Sequence, residues 1–341
     1  MNQKKELKKI LFRADGNSAI GLGHVYRCLA IAERLQENFQ CYFAIRQPSI
    51  QLKKTISKNA TLIKLNQYVD YNDEAHDIVI KIVPVHGIDI IVLDGYYFDT
   101  DYQEIIKKNC SSILVSIDDN QPFHYVSDVI INHAGNISED KISREPRAKL
   151  LLGYKYLLLR KEFIELLNKG KNISGICSAL ICFGGADPEN YTKRILDCIK
   201  TDKRFKKIVV IAGASYMERE ALQNSVKENR HIEIRFNLSA STLARIMHHI
   251  DLAIVPASTI ALEAFTAKTI LITGITASNQ QNIYDGLVKE ESVIGIDDFS
   301  QITCEKLLAE IDKLSQEFDN YVFKVNAEVN DPILDTFNSF V

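Results

Sequence analysis

Short, almost wholly apolar runs alternate with amphipathic stretches from one end of the chain to the other, and nothing else limits its fold so strongly. In the first half the runs cover residues 10–15, 39–45, 61–65, 88–94, 113–118 and 129–132. In the second half they cover 179–183, 208–212, 232–236, 252–255, 270–273 and 293–296. Strands this uniformly apolar must be covered on both faces, which is the situation in a parallel sheet flanked by helices. Strand, helix and strand in repeated order predict an α/β fold with right-handed crossovers. The runs are too many for one open sheet, and 341 residues exceed what one core usually organises. A polar interruption, NKGKNISG at 168–175, falls near the middle. It predicts one Rossmann-like domain over 1–167 and a second over 168–341, facing each other across a cleft.

Composition removes several function classes. A net charge of -3 supplies no field for nucleic acid or an anionic membrane. The basic opening MNQKKELKK runs into a strand rather than a long apolar stretch, so neither a signal peptide nor a membrane span is expected. Seven cysteines, with no CxxC pair among them, are expected to be reduced core residues of a cytoplasmic protein.

Chemistry concentrates at strand-to-helix turns. "AIGLGHVYRCLA" at 19–30 joins the first run to a helical stretch in which Val25, Cys28, Leu29, Ala32 and Leu35 share a face. Gly21 and Gly23 frame the turn. His24 and Arg27 lie off the apolar face, three residues apart in the first turn, and point to the mouth of the sheet, where open α/β sheets bind ligands. The dinucleotide fingerprint would need glycine where Tyr26 stands, and no GxxxxGK[ST] occurs. His24 sits at the positive end of a helix dipole, which favours the neutral imidazole that a general base needs. A hydrogen-bonded or capping histidine fits the position equally well.

Other turns repeat the design. In "FGGADPEN", Gly184 and Gly185 allow close backbone approach to an anion, with Asp187 as N-cap and Pro188 in the first helical turn; a plain capped turn reads the same way. In "PASTIALEAF", Ser258 and Thr259 can cap a helix or hold a diphosphate, and Glu263 one turn later can accept from ribose hydroxyls or stand solvated. Asp99 and Asp101 form a DxD, but Asp101 and Glu104 have capping-box spacing, and no metal site is expected. Asp118 and Asp119 end a strand without an assigned role. Arg160 can reach a phosphate or make a structural ion pair.

Taken together these segments resemble the UDP-2,4-diacetamido-2,4,6-trideoxy-β-L-altropyranose hydrolases, the PseG-like family of pseudaminic acid biosynthesis. The likeness rests on "RADGNSAIGLGHVYRCLAIAERL", "VLDGYYFD", "LLGYKYLLLRKEF", "CFGGADPENYTKRIL", "VPASTIALEAF" and "ASNQQNI", in that order, up to about residue 300. Two positions depart from it: Pro256-Ala257 replaces a frequent glycine pair, and Gly95 fills the middle of D-x-Y. The resemblance implies a GT-B-like architecture related to MurG-type glycosyltransferases, with UDP in the C-terminal half and the catalytic base in the N-terminal half. It maps the base onto His24, the D-x-Y residues onto Asp94 and Tyr96, and the N-Q pair onto Asn279 and Gln280, with Tyr96 and Asn279 placing water and sugar. It implies a UDP-linked acetamido sugar as substrate, inversion by water attack, no cofactor, and a monomer or weak oligomer. A glycosyltransferase using a UDP-amino-sugar donor would share most of these motifs.

Overall fold

The apolar runs become strands of two sheets in the computed structural model, which describes residues 7–17, 21–120, 122–135, 137–213, 215–290, 292–317 and 331–340. The first sheet holds β1 (Lys8–Ala14), β2 (Phe39–Arg46), β3 (Thr61–Leu65), β4 (Ile90–Asp94), β5 (Ile113–Ile117), β6 (Val129–Asn132) and β7 (Lys149–Leu152). Its order is β3-β2-β1-β4-β5-β6-β7, and every neighbouring pair is parallel. Both faces are covered, which is why the strands do not alternate in polarity. Ile10 and Phe12 of β1 face Val25, Cys28 and Ile31 of α1 (Gly23–Leu35), whereas Leu11 faces the opposite cluster with Ile91, Leu93 and Tyr102.

The second sheet holds β8 (Ser178–Ile181), β9 (Lys207–Ala212), β10 (Ile232–Phe236), β11 (Leu252–Pro256), β12 (Ile270–Ile275) and β13 (Val293–Asp298). Its order, β10-β9-β8-β11-β12-β13, is again wholly parallel. In each sheet the strand order reverses at one point, between β1 and β4 and between β8 and β11. Connections leave such a pair in opposite directions, so a crevice opens beyond the carboxyl ends of the strands. The turns singled out from the sequence follow three of these four strands, and Asp94 ends the fourth.

The two sheets belong to two units, Met1–Lys161 with Glu328–Val341, and Glu162–Ala327. This differs from a division at 168–175 in two ways. The break comes earlier, and the C-terminal helix Pro332–Asn338 belongs to the first unit, not the second. That helix buries Ile333 and Phe337 in the first core, where the Phe337 ring meets Phe39 edge-on. Arg34 of α1 donates to Asp331, the helix N-cap, and to the Leu157 carbonyl at 2.9 Å.

Three further expectations change. β7 has no counterpart among the expected runs, because KLLL is short and only one of its residues is fully covered. The helix Thr100–Asn109 is capped by Asp99, whose carboxylate accepts from Tyr102 N at 3.0 Å, so Asp101 is a first-turn acid rather than the cap. Cys198 and Cys304 are not reduced core thiols: they form a disulfide between helices Tyr191–Ile199 and Cys304–Glu317. Their separation of 106 residues hid the pairing from any spacing rule. Among the described residues no helix is long and apolar enough to cross a membrane.

Candidate functional site

At the reversal point of the first sheet, α1 starts directly after the glycine turn and places His24 and Arg27 above the end of β4. Asp94, the last residue of β4, is fully buried and receives both. His24 Nδ1 lies 2.7 Å from Asp94 Oδ1. Arg27 donates Nη2 to the same oxygen at 2.7 Å and Nε to Oδ2 at 3.0 Å. A third Arg27 bond, Nη1 to Asp119 Oδ2, measures 2.6 Å. His24 itself is 8% exposed, and its ring meets Tyr96 edge-on with centroids 4.8 Å apart.

The charges decide the tautomer. Burial alone would raise the Asp94 pKa, but Arg27 and His24, through charge and hydrogen bonds, hold it below the usual carboxylate range. An ionised carboxylate only accepts, so the Nδ1 contact requires the imidazole proton on Nδ1. Arg27 Nη2 is also 2.8 Å from Nδ1. A protonated Nδ1 cannot accept that proton, and the closeness follows from both groups converging on Oδ1. In the neutral ring this puts the lone pair on Nε2, the nitrogen from which such a histidine takes a proton.

His133, at the end of β6, is 1% exposed and accepts the Leu158 N–H on Nδ1 at 3.2 Å. Burial, then the positive charge of Arg27, pushes its pKa down to about 3 from 6.5. Between those values only the unfolded chain binds the proton. The stability present above pH 6.5 is therefore lost as the pH falls toward 3. From pH 6.5 to 5 the loss should reach about 2 kcal/mol at ~1.4 kcal/mol per unit. Urea unfolding at both pH values should show that part of the slope vanish in His133→Gln.

In the second unit, Gly184 follows β8 with φ +83°, a backbone that glycine adopts without strain. Gly185 is held from the neighbouring strand: a Cβ on Gly213, beyond β9, would come within 2.4 Å of Gly185 Cα and 2.5 Å of its carbonyl oxygen. Ser215 N also donates to that oxygen at 3.1 Å. Gly213→Ala should cost about 1–3 kcal/mol in urea unfolding, since backbone rather than a side-chain tip must yield.

Asp187 is not at the N-cap position. The helix starts at Tyr191 behind Asn190, and Asp187 reaches back to accept from Tyr191 N at 2.9 Å and Thr192 N at 2.7 Å. The turn from Asp187 to Asn190 displaces the helix start by one turn, and the carboxylate occupies the helix amides that the sequence reading offered to an anion. Pro188 accordingly precedes the helix. At the end of β11 the reverse holds. Ser258 is the N-cap of helix Thr259–Thr266, yet its hydroxyl makes no cap hydrogen bond; Ala261 N turns back to the Ser258 carbonyl at 2.9 Å, and the amides before it, with the helix dipole, suit an anion. Glu263 lies one turn further in and is 4% exposed.

Of the residues expected at the site, His24, Arg27, Asp94 and Tyr96 come together in the first unit. Gly23 is the first residue of α1, and Gly21 pairs with Asn17 across the turn; Ala19 and Ile20 lie outside the described residues. Gly184, Gly185 and Asp187 follow β8, Ser258, Thr259 and Glu263 follow β11, and Asn279 and Gln280 sit in the short helix Ser278–Gln280 after β12. Gln280 Oε1 accepts from Thr276 N at 2.8 Å, which folds its own turn. Arg160 lies on the chain entering the helix Lys161–Ile164. His133 and Gly213 carry no signal in the sequence, and Asp119 stands out there only as a strand-end acid without an assigned role.

No family model matches the chain. It is 24% identical over 287 residues to the UDP-2,4-diacetamido-2,4,6-trideoxy-beta-L-altropyranose hydrolase of Campylobacter jejuni, covering 83% of this chain and 97% of that one. It is 25% identical over 293 residues to the uncharacterized protein MJ1062 of Methanocaldococcus jannaschii, covering 83% of this chain and 59% of that protein's length. The crystal structure of MurG from Acinetobacter baumannii aligns over 97% of this chain and 99% of its own, with a TM-score of 0.67 at 14% identity. At that identity the likeness concerns the fold, which is the GT-B class of two Rossmann-like units.

Proposed function

We propose that this chain is a UDP-sugar hydrolase of nonulosonic acid biosynthesis, acting on a UDP-linked 2,4-diacetamido-2,4,6-trideoxyhexose. The observation that carries the reading is the Asp94–His24 hydrogen bond, which in the neutral ring turns the lone pair of Nε2 outward as the proton acceptor. In this mechanism a water oxygen attacks the anomeric carbon from the face opposite the nucleotide, and its proton passes to His24 Nε2. The bond from the anomeric carbon to the diphosphate oxygen breaks, and its electron pair leaves with UDP. Free sugar of inverted configuration results. Tyr96, packed on the imidazole, and Asn279 help to position the water and the sugar. The diphosphate meets the Gly184–Gly185 backbone and the uncapped helix start at Ser258–Thr259, and Glu263 takes the ribose. No divalent metal is needed in this scheme, because fixed amides and a helix dipole meet the leaving-group charge. The hydrolase relative from Campylobacter jejuni supports the substrate class.

A second reading is a glycosyltransferase, supported by the MurG-like fold. It uses the same base on an acceptor hydroxyl. One experiment separates the two: UDP-linked amino sugars are incubated with the protein in water alone, and UDP and free sugar are quantified. Stoichiometric release of both is the expected result. No release without an added acceptor would overturn the hydrolase reading.

A further inference from the structure

A second group of buried charges lies in the first unit, centred on Arg13 and Glu74 rather than on Asp94. Arg13 on β1 is fully buried. It donates Nε to Glu74 Oε1 at 2.7 Å and Nη2 to Asp15 at 2.7 Å. Arg46, ending β2, donates Nε to Glu74 Oε2 at 2.5 Å, and the Tyr102 hydroxyl donates to Glu74 Oε1 at 3.0 Å. Two arginines and two carboxylates leave no net charge. Buried ion networks of this kind add little stability over apolar packing, but they hold geometry. What this one holds is a wall. The Arg46 guanidinium lies 3.9 Å from the centroid of the Tyr71 ring, and Tyr71 stacks on Tyr97 at 4.7 Å with 7° between planes. Tyr97 is 42% exposed.

This wall borders an open pocket of about 370 Å³ that Asn17, Gln47 and Gln67 also line, and none of His24, Arg27, Asp94 or Asp119 does. Gln47 has φ +39°, a strained backbone for a residue with a side chain, of the sort that persists where its surroundings over-determine it. We propose that this pocket binds a neutral sugar ring independently of the nucleotide. A pyranose presents a flat C–H face and a rim of hydroxyls. An ordered, partly exposed aromatic stack suits the face, and side-chain amides, which both donate and accept, suit the rim. No net positive charge selects an anion, because Glu74 and Asp15 balance both guanidinium charges; the buried Arg46 Nη2 has no hydrogen-bond partner among the described residues. An apolar ligand is disfavoured by the amides. The volume is that of an ordinary small-molecule site and admits one hexose. The pocket adjoins the catalytic turn in the chain: Asn17 begins that turn, and Tyr97 follows Tyr96.

The test needs no turnover, so it stands or falls separately from the hydrolase reading. Saturation-transfer NMR on the full chain uses methyl N-acetyl-β-glucosaminide and methyl glucoside as probes. Binding should persist in saturating UDP and in His24→Phe. It should weaken about five- to tenfold in Tyr97→Ala, as loss of an aromatic stack predicts. Gln67→Ala, on the rim, should weaken it as well. Thermal unfolding checks that both variants fold. Sugar signal that UDP abolishes, that is unchanged in both variants, or that is replaced by Tyr97-dependent uridine binding would overturn the proposal.

Discussion

Replacing His24 with phenylalanine should lower UDP release by about 10²–10⁴-fold, the usual contribution of a positioned acid or base, while UDP affinity stays within a factor of about two. The division of labour follows from the chain. His24 rises from the β1 turn of the first unit, whereas the amides offered to a diphosphate follow β8 and β11 of the second. The two observables must be read on the same variant, because either alone is ambiguous. Phenylalanine keeps an aromatic ring beside Tyr96 but removes both nitrogens, and with them the bond to Asp94. Equal losses of affinity and turnover would make His24 a ligand, and full turnover would make it a structural residue.

Asp94→Asn should have a comparable effect on turnover, about 10²–10⁴-fold, by a different route. Asp94 accepts from His24 Nδ1 and two Arg27 nitrogens on its two oxygens, with the Cys28 thiol a weaker donor 4.0 Å from Oδ2. Asparagine has one oxygen, and its amide nitrogen donates. If that nitrogen faces the imidazole, the ring proton moves to Nε2 and the base is lost. If it faces Arg27, a buried guanidinium keeps only Asp119 as its carboxylate. Leaving a buried charge partly unpaired costs about 3–5 kcal/mol. Urea unfolding and the turnover number on one preparation therefore report the two consequences together. Wild-type values for both would remove Asp94 from the mechanism.

The legible parts of this protein are those governed by local rules. β1, β2 and the other two-faced strands announce themselves because burial on both sides leaves no room for polar residues. The β1 turn is readable because Gly23, His24 and Arg27 fall within five residues and helical spacing assigns their faces. What was not legible depends on pairings across the fold. Asp119 binds Arg27 from 92 residues away, and its role was one of several open to a strand-end acid. Gly213 reads as an ordinary turn glycine until its contact with Gly185 is seen. Asp187 carries a capping signature, yet three residues of turn separate it from the helix it serves. The ordering of strands, which brings β4 beside β1, is topological and appears in no window of sequence.

The return of the helix Pro332–Asn338 to the first unit bears on how the protein is made. During synthesis the seven strands of the first sheet leave the ribosome well before Ile333 and Phe337, the residues that close its core against Phe39. Until the whole second unit has been translated, that face of the nascent domain remains open to chaperones and to other chains. The first unit is thus the earlier to begin folding and among the last to finish, and a chain cut short before Asp331 would carry its defect in the unit made first.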